Sequence, residues 1–160
     1  MHKTRIDLAE KTRKKIVNLL SVRLADAIDL ALQAKQAHWN VKGPQFIALH
    51  ELFDAIHGVV EGHVDELAER LTALGGVAEG TVQIVVKRTS LDAYPLAISA
   101  GSEHLEALAA ALATFARLAR EAIDTADAAG DKVTADLFTG IAAAIDQQLW
   151  LVEAHLQADA

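Results

Sequence analysis

Residues Lys35–Gly76 read KQAHWNVKGPQFIALHELFDAIHGVVEGHVDELAERLTALGG. After the break at Gly43-Pro44, apolar side chains recur every three or four residues, which predicts one long amphipathic helix over Gln45–Leu74. Proline is well placed in the first turn of such a helix. The stretch also holds five side chains that can bind a metal: His38, His50, Asp54, Asp65 and Glu69.

Four of these side chains form two pairs along the predicted helix. His50 and Asp54 are four residues apart and share a helix face, and Asp65 and Glu69 repeat that spacing. The two pairs are separated by about 16 Å along the axis, whereas metal–ligand bonds are about 2 Å long. Either the pairs are unrelated, or an antiparallel copy of the helix across a two-fold axis completes two equivalent sites.

The motifs of this stretch closely resemble those of the Dps proteins (DNA-binding proteins from starved cells), which are mini-ferritins. The matching strings are AHWN, HELFDAI, DELAER and LGG, and the likeness extends from about Asp7 to Leu156. It includes TxLxxYP at Thr89–Pro95 and LWxxExH at Leu149–His155.

The resemblance implies a ferroxidase site shared between two subunits. Two histidines and an aspartate come from one subunit, and an aspartate and a glutamate come from its two-fold mate. They correspond here to His38, His50 and Asp54, then to Asp65 and Glu69, which are expected to be both the metal ligands and the catalytic residues. The implied reaction is oxidation of ferrous iron, with hydrogen peroxide as the preferred oxidant, and storage of Fe(III) mineral in a hollow twelve-subunit shell.

The chemistry of the candidate ligands is compatible with more than one metal. Neutral imidazole together with carboxylates suits a di-iron site, and would also hold zinc or manganese. His57, on nearly the same face as His50, is either an accessory ligand, which together with His63 would raise the question of zinc at this site, or a hydrogen-bonded interface residue, and the latter is favoured. Trp39, beside His38, is a sacrificial electron donor, an interface packing residue, or both.

The remaining sequence predicts an all-α, ferritin-like four-helix bundle. Helices are expected over 7–40, 45–74, from Ser102 as N-cap to about 129, and over 133–155. The connection over 77–99 is too long to join neighbouring antiparallel helices, so it must cross the bundle between helices two and three. The resemblance places a short extra helix within Leu91–Ala97 of this crossover. No glutamate is followed three residues later by histidine, the pattern of di-iron sites inside a bundle.

Composition limits the class of protein. The 160 residues fit a short basic segment, 1–6, expected to be loose, followed by one ferritin-like domain, 7–160. There is no cysteine, which excludes a thiolate metal site, and the net charge is −7. The chain starts without a secretory signal and has no apolar run long enough to span a membrane, so a cytoplasmic location is expected, with nucleoid association left open.

Two other functions compete with the ferroxidase. The first is a nucleoid protein that binds and compacts DNA, with only secondary metal binding. This is doubtful because Lys3 and Arg5 are the only basic residues in the short tail, and the basic cluster over 11–15 falls on a helix. The second is a monomeric or dimeric helical bundle whose surface carboxylates carry out no reaction.

The resemblance also implies a three-fold pore through which iron enters the shell. Four acidic residues fall at its position: Asp124, Asp127, Asp131 and Asp136.

Overall fold

The computed structural model describes residues 1–157, and within them the chain forms five helices. They are α1 (Glu10–Asn40), α2 (Phe46–Ala73), α3 (Val82–Arg88), α4 (Gly101–Ala128) and α5 (Lys132–Leu156). The all-α ferritin-like bundle predicted from the sequence is confirmed. Its core is formed by the inward faces of the four long helices, with Phe53, Phe115 and Phe138 among the largest fully buried side chains.

The bundle consists of two antiparallel hairpins, α1–α2 and α4–α5, joined by the long crossover. An isolated bridge pairs Lys42, just after α1, with Ala100, just before α4, so the end of α1 lies beside the start of α4. The helices α1 and α4 are therefore antiparallel, and α2 and α4 run in the same direction. This is the arrangement that a crossover between the second and third long helices requires.

Two helices end in the same kind of cap. After α2, the N–H of Gly76 bonds to the carbonyl of Leu71 and the N–H of Gly75 to that of Thr72. After α4, the N–H of Asp131 bonds to the carbonyl of Ala126 and that of Gly130 to Asp127. These are Schellman motifs, which need a left-handed residue, and Gly75 and Gly130 have φ of +91° and +82°.

The short helix of the crossover lies elsewhere than predicted. It forms over Val82–Arg88, in the β-branched run, and not within Leu91–Ala97, which has no helix. Val85 is buried there, and the helix packs on α1 beside Ile28 and Leu32. Packing of one apolar face therefore outweighs the weak β preference of valine, while the Tyr94-Pro95 bond disfavours helix at the other location.

The start of α4 also differs from the prediction, since Ser102 lies inside the helix and Ala100 is the N-cap. Glu103 reaches back to the backbone N–H groups of Ala100 and Ser99, at 3.0 and 3.2 Å. A glutamate at the third helical position thus caps the start of the helix from within, where the prediction placed a serine side chain.

The N-terminal segment is docked, contrary to the expectation that it is loose. The backbone N–H of His2 donates to the carbonyl of Gly75 at 2.7 Å, and Ile6 and Leu8 pack against the core. Arg13 of α1 donates to the carbonyls of Leu74 and Leu8. The segment is therefore fixed to the corner where α2 ends.

Candidate metal centre

His38 and His50 lie face to face where α1 ends and α2 begins. Their ring centroids are 3.6 Å apart and the rings are inclined by 21°. The turn between the helices positions them, because Gly43 adopts φ +120° and Pro44 follows it directly. Two helices joined by such a short turn must run side by side, which brings the last turn of one against the first turn of the other.

Each histidine is oriented by the backbone of the other. The Nδ1 atom of His38 lies 2.7 Å from the carbonyl oxygen of His50, and Nδ1 of His50 lies 2.8 Å from the carbonyl oxygen of His38. A carbonyl only accepts, so both Nδ1 atoms carry hydrogen and donate. In a neutral ring with this contact Nε2 has the lone pair, which is the form in which histidine binds a metal while its other nitrogen donates to a carbonyl.

Asp54, one turn after His50, forms an ion pair with Lys35 of α1. The hydrogen bond from the Lys35 ammonium group is the main reason why the pKa of Asp54 lies below its ordinary value. The charge of Lys35 and nearby imidazoles, including that of His38, act in the same direction. The sequence prediction did not include Lys35, although it lies three residues before His38 on the same helix face.

Asp65 and Glu69 lie in the second half of α2, and both side chains are exposed. The rise of an α-helix puts them about 16 Å or more from Asp54 along the axis. Over residues 1–157, no three histidine, aspartate or glutamate side chains converge closely enough to hold an ion. One chain thus brings together His38 and His50, with Asp54 one turn further along, and leaves Asp65 and Glu69 apart from them.

The two additional histidines of α2 have partners within the chain. His57 lies with Nδ1 3.0 Å from the carbonyl oxygen of Ala31 and Nε2 3.6 Å from Glu61. His63 lies with Nδ1 2.8 Å from the carboxylate of Glu66. The hydrogen-bonded state favoured for His57 fits this geometry, because the carbonyl of α1 orients its ring.

The acids near the turn between α4 and α5 are not equivalent. Asp131 is 1% exposed, caps α5 through the N–H of Thr134, and accepts two hydrogen bonds from Arg70 of α2 at 2.8 and 2.9 Å. Asp131 is therefore a structural residue and cannot line a pore. Asp127 forms an ion pair with Lys132, so Lys132 partly neutralises one of the four acids that the resemblance places at the family's pore.

An apolar surface lies beside the candidate ligands. Trp39, next to His38, is 66% exposed, and Leu96 is 78% exposed. Both border a cavity with Leu32, which in turn borders a second cavity with Val82 and Val86 of α3. We refer to Leu32, Trp39, Val82, Val86 and Leu96 as the α1–α3 apolar patch. Exposed apolar residues grouped in this way are typical of an interaction surface.

No helix within residues 1–157 combines the length and the apolar character needed to cross a membrane.

Comparison with known proteins identifies a domain family and several similar proteins. Residues 17–160 match the model of the Ferritin family, described as a ferritin-like domain. A DNA protection during starvation protein from Agrobacterium fabrum is 47% identical over 98% of this chain and 96% of its own length. The solved structure of Dps from Mycobacterium smegmatis, in a tetragonal form, superposes with a TM-score of 0.93 at 32% identity, covering 99% of this chain and 95% of that one. DpsA14 from Streptomyces coelicolor superposes with a TM-score of 0.92 at 35% identity, covering 97% and 92%.

Proposed function

Because this chain belongs to the Dps family, the DNA protection during starvation proteins, and carries a ferritin-like domain, we propose that it is a ferroxidase. In this proposal it oxidises Fe(II) with hydrogen peroxide and stores the Fe(III) as mineral inside a hollow homo-oligomeric shell, a dodecamer as the resemblance implies. The observation that carries the proposal is the His38–His50 pair, in which two backbone carbonyls leave both Nε2 atoms able to bind iron.

The candidate ligands suit both oxidation states of the substrate. Imidazole nitrogen retains affinity for Fe(II), while carboxylate oxygen stabilises Fe(III). Two ferrous ions held together supply the two electrons that one peroxide needs: two Fe(II), one H₂O₂ and two protons give two Fe(III) and two water molecules. Hydroxyl radical, the product of a one-electron reduction of peroxide, is thereby avoided. Zinc or manganese would fit the same donors, but zinc would not supply these electrons because it has no redox chemistry.

Two features support a site shared between subunits. Asp65 and Glu69 are too far along α2 to join His38, His50 and Asp54 within one chain, and an antiparallel partner would supply them. The α1–α3 apolar patch begins at Trp39, next to His38, so a second subunit covering the patch would lie beside the histidines. A two-fold interface then contains two equivalent sites.

A complementation experiment tests the shared site. His50→Ala and Asp65→Ala each remove one ligand from every site, so each variant alone is expected to lose rapid peroxide-dependent oxidation of Fe(II). In a mixed dimer of the two, one site carries both defects and the other is intact. Dissociated and reassembled mixtures should therefore regain activity, whereas a site within one chain would regain none. Glu106→Ala, an exposed carboxylate of α4, is the control for mixing.

The activity itself is tested by loading the protein with Fe(II) anaerobically, adding half an equivalent of hydrogen peroxide and sizing the product. Absorbance of Fe(III) that elutes with a particle near twelve subunits, with less hydroxyl radical than in a protein-free reaction, is the expected result. Iron that precipitates outside the protein, or a protein that elutes as a small species, would overturn the proposal.

DNA binding is the weaker alternative. The first residues are fixed to Gly75 and not free to follow a phosphate backbone, and within the basic cluster Lys14 is paired with Glu10. A gel shift at low and moderate salt tests it, because binding that rests on phosphate contacts weakens steeply with salt. We expect little retardation at moderate salt.

A further inference from the structure

A tyrosine and a histidine form a hydrogen-bonded pair between the crossover and the first turn of α4. The hydroxyl oxygen of Tyr94, in the crossover, lies 2.7 Å from Nδ1 of His104 on α4. His104 is 1% exposed, and Tyr94 is partly buried. Tyr94 is the only tyrosine of the chain.

The pair is arranged for transfer of a proton from phenol to imidazole. Burial raises the pKa of Tyr94, so the hydroxyl keeps its hydrogen and donates it. Burial also lowers the pKa of His104, more strongly than Glu103 and the Asn40 backbone raise it, so the ring is neutral and its Nδ1 can accept. Oxidation of a phenol makes its proton strongly acidic, and an imidazole already in hydrogen-bond contact receives that proton without rearrangement.

Aromatic side chains connect the pair with the candidate ligands. Tyr94 and Trp39 border the same cavity of about 340 Å³, and Trp39 follows His38 directly in the sequence. On the other side, the ring of Phe53, next to Asp54, lies 6.4 Å from that of His104. The pair therefore lies near two aromatic residues, Trp39 and Phe53, each of which directly neighbours a candidate ligand in the sequence.

We propose that Tyr94 is a redox-active residue that gives one electron to hydrogen peroxide when a site holds only one ferrous ion, while its phenolic proton passes to His104. This inference rests on the proposed function. One Fe(II), one H₂O₂, Tyr94 and two protons from solvent give Fe(III), two water molecules, a neutral Tyr94 radical and protonated His104. A later ferrous ion returns one electron, and His104 returns the proton. The pair thereby supplies the second electron that the missing ferrous ion would have given. Peroxide is then reduced by two electrons to water, and hydroxyl radical is not released.

The first experiment uses the assembled protein with one Fe(II) per site, to which one equivalent of hydrogen peroxide is added before freezing for electron paramagnetic resonance. We expect a tyrosyl signal whose hyperfine pattern changes when the protein contains deuterated tyrosine. Because Tyr94 is the only tyrosine, the assignment is unambiguous. Tyr94→Phe should abolish the signal and increase the hydroxyl radical captured by a spin trap, whereas the control Trp150→Phe should retain it. No tyrosyl signal in the unaltered protein, or equal trapping in Tyr94→Phe, would overturn the inference.

The second experiment needs no iron, and so separates this inference from the ferroxidase proposal. Both tryptophans are replaced by phenylalanine, and Tyr94 is oxidised by a photogenerated ruthenium(III) complex. His104→Gln should slow formation of the radical by about a hundredfold, the lower end of what a positioned base contributes. Equal rates of radical formation with and without His104→Gln would mean that the hydrogen bond stabilises the fold but does not accept the proton, which would overturn the inference. If iron is not oxidised even at two ions per site, the ferroxidase proposal fails, while this measurement still decides whether the pair is redox-active.

Discussion

Lys35 is not a candidate ligand, but it contacts one directly, since it is paired with Asp54. Its ammonium group forms an ion pair with the carboxylate of Asp54. A ferrous ion that binds this carboxylate must displace the ammonium group. The ion pair therefore orders the site before iron binds and competes with iron for one of its oxygens. Both effects follow from one contact, and a single substitution separates them.

Lys35→Met keeps the apolar stem and removes the charge. The pKa of Asp54, now held low by the lysine, should rise toward its ordinary value, which NMR titration of the carboxyl group measures. Above that pKa the carboxylate stays ionised and free, so binding of the first Fe(II) should tighten by a factor of about two to five, as expected for loss of a partly exposed ion pair. Weaker binding in anaerobic calorimetry would mean that Lys35 orders Asp54 more than it competes. Lys42→Met, outside the pair, is the control.

At the scale of elements, the turn between α4 and α5 is fastened to α2. Arg70 donates to both carboxylate oxygens of Asp131 and, through Nε, to the hydroxyl of Thr134 at 2.9 Å. Burial alone would raise the pKa of Asp131, but hydrogen bonds from Thr134 and Arg70 together hold it below its ordinary value of 3.8. Arg70 follows Glu69 directly, so this network also fixes the part of α2 that carries two candidate ligands.

Asp131→Asn should lower the free energy of unfolding by about 2 kcal/mol at neutral pH, since it removes charge-assisted hydrogen bonds. Folding lowers the pKa of Asp131, so its ionised form stabilises the folded state. This contribution to stability is complete above the unfolded-state pKa of 3.8 and is lost as the pH falls through the folded-state pKa. Denaturant unfolding of both proteins should give a constant difference near neutral pH and a shrinking one below about pH 4. A difference that grows toward low pH would contradict this account.

The corner after α2 provides a second prediction, with a control of opposite sign. A Cβ at Gly75 would lie 2.4 Å from the carbonyl oxygen of His2, and φ there is +91°. Gly75→Ala should destabilise the chain by at least about 1–2 kcal/mol from the backbone alone and expose the N-terminal segment to protease. Gly140→Ala, in α5 with no atom near the added Cβ, should instead stabilise it by about 0.5–1 kcal/mol. Thermal unfolding measures both.

At the scale of the whole molecule, assembly should depend on the α1–α3 apolar patch. Val86 is 74% exposed, and glutamate there would place a charge in a subunit interface, where an unpaired charge is costly. Val86→Glu should therefore shift the protein from a large particle to small species while its helical circular dichroism remains. Lys87→Glu, an exposed neighbour on α3, should leave the particle size unchanged. Light scattering after size exclusion distinguishes these outcomes, and an intact Val86→Glu particle would place the interface elsewhere.

Sequence periodicity sufficed to predict the four long helices, because their apolar faces repeat over many turns and the core confirms them. It failed where tertiary contact decides the local structure. The run from Val82 to Val86 is helical because it packs on α1, and Asp131 is buried because Arg70 reaches it from α2. At the candidate site, spacing predicts that Asp65 and Glu69 are distant from His50. The reciprocal carbonyl contacts of His38 and His50 depend on a turn geometry that spacing does not encode.

Those reciprocal contacts have a thermodynamic consequence. Because each imidazole is hydrogen-bonded to the main chain of the other helix, the directions of the two Nε2 atoms depend on how the end of α1 is aligned with the start of α2. An ion that binds both nitrogens favours one alignment over all others, and linkage then requires that the ion stabilise the α1–α2 hairpin against opening. Slower hydrogen exchange of the amides around this corner on metal binding would be the signature, at peptide groups that never touch the metal.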